Sequence, residues 1–305
     1  MARSWIGAIV ALAVLGLAGV LLARTIGRYD LADVEAALRQ LGPGQLAGAA
    51  LLSAASYLLL TGVDLLAIRY AGKDLPYRHV AFASFVALSI GHSLGLAAVS
   101  SGAVRFRFYR RWGLRAGEIA RVILFCGLTV VLGYSLLGGL VMATSAGWVS
   151  GLIGVPEGTL VAAGAVALAV PVLYLAAVRS GRQIRLGRLH IPPPRMRLAL
   201  GQIVVGCVDV LLVAGVLHQC LGGNAALSFD TVLAVYMAAA AAGMLAHAPG
   251  GLGVVEAVTL ALLPGAETIA ALLAFRAIYY LVPLALGGAA LAIFEIAAGR
   301  RAPAG

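Results

Sequence analysis

Charge is what this sequence has least of. Only 11% of its 305 residues are charged, against roughly 25% in soluble proteins. Its longest polar stretches run to about 20 residues, too short for a soluble domain of ordinary size. Both shortages exclude a water-soluble fold. Lysine is nearly missing: Lys73 stands alone beside 21 arginines. The arginine bias is read as genomic base composition. The net charge of +10 is read as a topology signal rather than a nucleic-acid surface. The three cysteines, Cys126, Cys207 and Cys220, lie in apolar runs without metal-ligand spacing and read as small packing residues. Neither a P-loop nor a His-Glu-x-x-His, His-x-x-x-x-Asp or Gly-x-Ser-x-Gly pattern occurs, so nothing points to ATP-driven pumping or to a familiar hydrolase. No metal or cofactor is called for.

What is abundant is apolar sequence: 62% of residues are hydrophobic, in long continuous runs. A transmembrane β-barrel needs alternating strands instead. The expected fold is all-α, a polytopic integral membrane protein forming one helical domain over residues 1–305. It has about eight transmembrane helices plus re-entrant or broken segments. The first run, 5–23, lacks a convincing cleavage site and reads as an uncleaved span. Residues 29–41 place Leu31, Val34, Leu38 and Leu41 at helical spacing and predict an amphipathic surface helix. Further spans are expected at 46–68, 119–142, 158–178, 198–220, 229–248 and 269–298. Asp64 sits near one end of its span and reads as interfacial, with the bundle interior as the alternative. Asp209 sits mid-span, where a carboxylate usually faces a partner or a hydrated cavity.

Arginine sets the orientation. Segments 100–118, 179–197 and 299–305 are arginine-rich and should be cytoplasmic, as should both termini, whereas 143–157, 221–228 and 264–268 hold neither lysine nor arginine. Lys73 and Arg78 also suggest a cytoplasmic loop. The run 80–99 must then re-enter, or else cross fully with the N-terminus outside.

Two breaks stand out. Ser100-Ser101-Gly102 precedes a segment in which Arg105, Arg107 and Arg110 alternate with aromatics, a pattern suited to anionic headgroups; a generic cytoplasmic anchor is the plainer reading. Pro249-Gly250-Gly251, followed by Gly253 and flanked by His247 and Glu256, breaks a second helix. A broken helix in lipid is tolerated only where protein or water pairs its backbone. The plainer reading here is a tight interfacial turn. In the broken-helix reading, the next short helix directs its free N–H groups at a phosphate, and Glu256 pairs with Arg276 of the last span or, alternatively, meets a cationic headgroup. Matched interruptions in two halves point to a two-fold internal repeat and a midplane site.

These residues carry a resemblance. Ser101-Gly102-Ala103-Val104-Arg105-Phe106-Arg107-Phe108-Tyr109, Ala248-Pro249-Gly250-Gly251-Leu252-Gly253-Val254-Val255-Glu256-Ala257 and Phe275-Arg276-Ala277-Ile278-Tyr279-Tyr280-Leu281-Val282-Pro283-Leu284 resemble the transmembrane domain of lysylphosphatidylglycerol synthases, in a stand-alone form. The resemblance implies a flippase-like protein of the bacterial inner membrane that handles anionic or aminoacylated phospholipids. Synthase activity belongs to a soluble domain that the chain as given does not carry. On this reading the substrate path draws on Arg105, Arg107, Arg110, Asp209, His247, Pro249, Gly250, Gly251, Gly253, Glu256 and Arg276. The partners are membrane phospholipids, a second copy of the chain or a lipid-modifying enzyme, and not nucleic acid. The alternatives are a membrane-embedded enzyme acting on lipid headgroups, with His92 or His247 as base, and a non-transporting partner of a lipid-modifying enzyme.

Overall fold

The structure is a computed structural model that describes residues 35–36, 39, 41–94, 97–186, 189–222, 227–246 and 249–299. The expected first span, most of the surface helix and His247 lie outside these residues.

The described chain runs through α1 (Pro43–Tyr70), α2 (Tyr77–Leu94), α3 (Ala97–Arg111), α4 (Ala116–Ile153) and α5 (Glu157–Arg179). A two-stranded hairpin follows, β1 (Ile184–Leu186) with β2 (Leu189–Ile191). The chain then continues through α6 (Met196–Cys220), α7 (Phe229–Leu245), a 3₁₀ turn at Pro249–Gly251, α8 (Val254–Leu262) and α9 (Ala266–Phe275). A π-helical turn at Arg276–Leu281 leads into α10 (Val282–Gly299). Five helices among the described residues are long and apolar enough to cross a membrane: Pro43–Tyr70, Ala116–Gly151, Glu157–Arg179, Met196–Cys220 and Glu267–Ala297. The last of these joins α9, the π turn and α10. The protein is therefore an all-α polytopic membrane protein.

Local chemistry explains most boundaries. Pro43 opens α1, where its missing N–H is not needed, and the Gln45 side chain accepts the Gly42 N–H at 2.9 Å. The helix expected at 119–142 runs on to Ile153, because residues 143–153 contain no proline to stop it. It bends at Ser145 (φ −121°) and ends at Gly154, whose φ of 68° closes a left-handed cap on the Ser150 carbonyl. The arginine-rich segment 179–197 contains the β hairpin. It folds back on itself, with Ile184 opposite Ile191, Arg185 opposite His190 and Leu186 opposite Leu189. The Tyr70 hydroxyl donates to the Pro192 carbonyl and ties this hairpin to the end of α1.

Small residues bring the long helices close. A Cβ on Gly133 of α4 would fall 2.3 Å from the Gly206 backbone of α6. The two backbones touch there, as small-residue crossings in membranes allow. Gln202 fastens the same crossing. Its amide donates to the Phe125 carbonyl (3.2 Å) and to Thr129 Oγ1 (3.1 Å), and its carbonyl accepts from the Tyr174 hydroxyl of α5. One apolar core gathers around α2, α3 and the start of α4; a second gathers around α6, α7 and the π turn. The middle helix α1 belongs to both.

Candidate functional site

The helices α2 and α3 form an antiparallel hairpin. His79 stacks on Trp112 at 4.8 Å and Phe82 meets Phe108 edge-on at 5.4 Å. These pairs are symmetric about residues 95–96, so the chain returns to the level from which it started. Ser100-Ser101-Gly102 does not break the chain as expected but sits inside α3. Gly102 there accommodates Ile123, whose Cδ1 would lie 3.4 Å from an added Cβ.

The helices α7 and α8 form a second hairpin, with Gly243 against Val255. Its tip needs glycine. Gly250, Gly251 and Gly253 have φ of 57°, 65° and 81°, a region costly for any residue with a Cβ. The two tips meet. A Cβ on Gly250 would lie 3.2 Å from the carbonyl oxygens of both His92 and Ser93. The last carbonyls of α2 thus face the turn that opens α8.

Each hairpin is braced by a buried ion pair. In the first, Arg105 donates from Nε to Asp64 Oδ1 (2.8 Å) and from Nη2 to Oδ2 (2.7 Å). Tyr109 donates to Oδ1 at 2.8 Å and Ser84 to Oδ2 at 2.7 Å. Four donors from α2 and α3 converge on one carboxylate of α1. Asp64 is 1% exposed and Arg105 4%. Two sequence readings are corrected here. Asp64 is interior, not interfacial, and Arg105 is spent on it rather than turned to headgroups. A guanidinium bonds a carboxylate bidentately, and in an apolar interior neither ion is tolerated alone. Arg107 is also engaged, with Glu295 of α10 (Nη2–Oε1 2.8 Å). Arg110 is the exposed member of the trio.

In the second hairpin, Arg276 Nε donates to Glu256 Oε1 at 2.7 Å, and its Nη1 donates to the Gly250 carbonyl. Its guanidinium lies 4.6 Å over the Tyr280 ring. Glu256 Oε2 accepts the Gly253 N–H at 2.8 Å, the N3-to-N-cap half of a capping box, which caps α8. Glu256 and Arg276 thus meet as their sequence setting suggested. The phosphate expected at the start of α8 finds that end already held by the Glu256 carboxylate.

Between the hairpins stands a hydroxyl-rich aromatic cluster. Tyr57 donates to the Tyr279 carbonyl at 3.2 Å, and Pro283 explains why that carbonyl is free. In an α-helix it would accept from residue 283, which has no N–H. The chain relaxes into a π turn there, as at many functional sites. The neighbouring Ile278 carbonyl faces Ser53 Oγ at 3.5 Å. Tyr279 stacks on Phe275 and on His92, each at 5.8 Å, and Tyr57 Oη lies 3.5 Å from His92 Nδ1. Ser56 donates to Asp209 Oδ1 at 2.6 Å and lies 3.2 Å from the Tyr279 hydroxyl.

Sequence reading gave no role to Tyr57, Tyr109, Ser84 or Glu295. Only Pro283, inside an apolar span, signalled that something must serve the Tyr279 carbonyl. Among the described residues, no group of three or more His, Cys, Asp or Glu side chains is placed to hold a metal ion.

Two helical hairpins meeting tip to tip, each locked by a buried arginine–carboxylate pair, define a class of helical membrane protein built around a broken-helix centre. Within it, the chain belongs to the family described as lysylphosphatidylglycerol synthase TM region, whose model matches residues 5–287. It is 34% identical over 280 residues to the uncharacterised protein slr0712 of Synechocystis sp., covering 90% of this chain and 86% of that protein. It is 31% identical over 274 residues to the inner membrane protein YbhN of Escherichia coli, covering 88% and 85% respectively.

Proposed function

We propose that this protein translocates phospholipids across a bacterial inner membrane and that it acts on anionic or aminoacylated lipids. The observation that carries this reading is the contact of Gly250 with the His92 and Ser93 carbonyls. Two hairpins that stop within the bundle and meet at their tips form a thin barrier, such as broken-helix transporters place at a midplane site. Parting the tips opens a polar path through otherwise apolar helices. The ion pairs Asp64–Arg105 and Glu256–Arg276 hold each hairpin as a rigid body, so that motion is confined to the contact between them. Gly250 forms that contact, Gly251 and Gly253 shape its turn with positive φ, and Glu256 and Arg276 set its position. Exposed Arg110 and the arginines around the β-hairpin supply the headgroup-facing charge, with the arginine-rich face and both termini in the cytoplasm.

Reconstitution into liposomes with a panel of labelled phospholipids tests this, read for both leaflet exchange and headgroup hydrolysis. Exchange without hydrolysis is expected. Hydrolysis would replace the translocase with a membrane-embedded enzyme, and neither activity would leave the role of a non-transporting partner.

A further inference from the structure

Asp209 differs from the other interior carboxylates. Asp64, Glu256 and Glu295 each pair with an arginine. Among the described residues, no basic nitrogen lies within ion-pair distance of Asp209. Its one hydrogen bond is from Ser56 at 2.6 Å.

The elements packed on α6 present hydroxyls to it and no charge. From α1 come Ser56 and Tyr57, from α4 Tyr134 and from the π turn Tyr279; these tyrosine hydroxyls lie within electrostatic reach of the carboxylate. The Tyr236 hydroxyl of α7 is taken by Tyr134 at 2.8 Å, and Tyr174 of α5 by Gln202. From α9, no described titratable side chain faces it.

Helical spacing places Asp209 between Gln202 and Val216, both buried at 3% and 0% exposure. Asp209 itself is half-buried. The lipid-facing side of α6 is elsewhere, at Leu200, Val204 and Val208. The residual exposure of Asp209 therefore lies on the bundle-facing side of α6. A carboxylate without a cation in such surroundings is costly, and proton uptake removes the cost. Intramembrane acids of this kind mark proton relays.

We propose that Asp209 is a proton-binding site and that its protonation couples lipid movement to a transmembrane proton gradient. The inference rests on the translocase reading. The carboxylate takes a proton from water on one side, forming an O–H bond, and returns the same proton on the other. No electron moves. Ser56 bridges Asp209 to the Tyr279 hydroxyl, and Tyr279 stacks on His92 beside the hairpin tips. Loss of the charge on Asp209 weakens the Ser56 bond and so reaches the contact that must open.

The test uses the full chain, with D209N and D209E, in two measurements. Infrared difference spectroscopy across a pH titration of reconstituted protein should show the carbonyl stretch of a protonated carboxyl. That band should vanish in D209N and move in D209E. A band unchanged in D209N overturns proton binding at this residue. Liposomes with a clamped membrane potential and an imposed pH gradient then report coupling. Wild type should build a lipid asymmetry of about tenfold per pH unit at one proton per lipid. D209N should equilibrate the leaflets alike with or without the gradient, and D209E should keep the response. A response to the gradient that survives in D209N, or lipid exchange by wild type indifferent to it, overturns the coupling. Absence of any lipid movement by wild type, with the infrared band still lost in D209N, sinks the translocase reading and its coupling but leaves the proton site standing.

Discussion

Gly250 packs its Cα against the end of α2 so closely that a methyl group there would meet the His92 carbonyl at 3.2 Å. The same residue has a φ of 57°. Conformation and space both demand glycine, and the demand comes from the opposite hairpin.

Gly250→Ala should therefore lose stability by about 1–2 kcal/mol from the left-handed backbone alone, and lipid exchange should fall with it. Gly62, in the middle of α1 with nothing within 4 Å of an added Cβ, is the control. Gly62→Ala should be neutral or stabilising. Thermal unfolding in detergent and leaflet exchange in liposomes check both. Equal behaviour of the two variants would remove the tip contact from the mechanism.

Asp64→Asn and Arg105→Gln should each destabilise by about 3–5 kcal/mol, because each leaves its partner charged and buried. The double variant should be markedly milder than the sum. Tyr109→Phe removes one of four donors to Asp64 and should cost about 1–3 kcal/mol. A double-mutant cycle on unfolding midpoints measures the coupling, and additive losses would contradict the pair.

Glu256→Gln should be gentler than Glu256→Leu. Glutamine keeps an acceptor for the Gly253 N–H and so keeps the α8 cap, whereas leucine loses both cap and pair. Arg276→Gln should cost more than Arg276→Lys. Lysine keeps the charge near Glu256 but cannot also reach the Gly250 carbonyl with a planar fork. Stability and exchange rate should follow the same order in all four proteins.

Tyr57→Phe should cost about 1–3 kcal/mol, since it strips the donor from the buried Tyr279 carbonyl. In a Pro283→Ala background, residue 283 regains an N–H and can serve the helix itself. There Tyr57→Phe should cost less. The unfolding cycle on these two positions tests whether proline and tyrosine are linked.

Cysteine labelling of intact cells tests the orientation. Trp148→Cys, on the arginine-free side, should react with an impermeant thiol reagent, and Arg111→Cys should react only after permeabilisation. The reverse pattern inverts the assigned topology.

Much of the architecture lies in the sequence itself. Apolar runs of membrane-spanning length dictate helices, because lipid leaves the backbone no other local way to pair its polar groups. Pro249-Gly250-Gly251 announces a break for the same reason. Glu256 and Arg276 are near enough in sequence, on adjoining segments of one broken unit, for their pairing to be expected. Tertiary structure alone decides the fate of Asp64. Near the end of an apolar helix it reads as interfacial, yet Arg105, Tyr109 and Ser84 close over it from the α2–α3 hairpin. Arg105 likewise belongs to a run of arginines indistinguishable by type. Its place on α3 turns it inward while Arg110 stays outside. A charge at a given position has a cost that sequence states and a partner that only the fold supplies. The contact of Gly250 with His92 is the extreme case, joining residues that no local pattern relates.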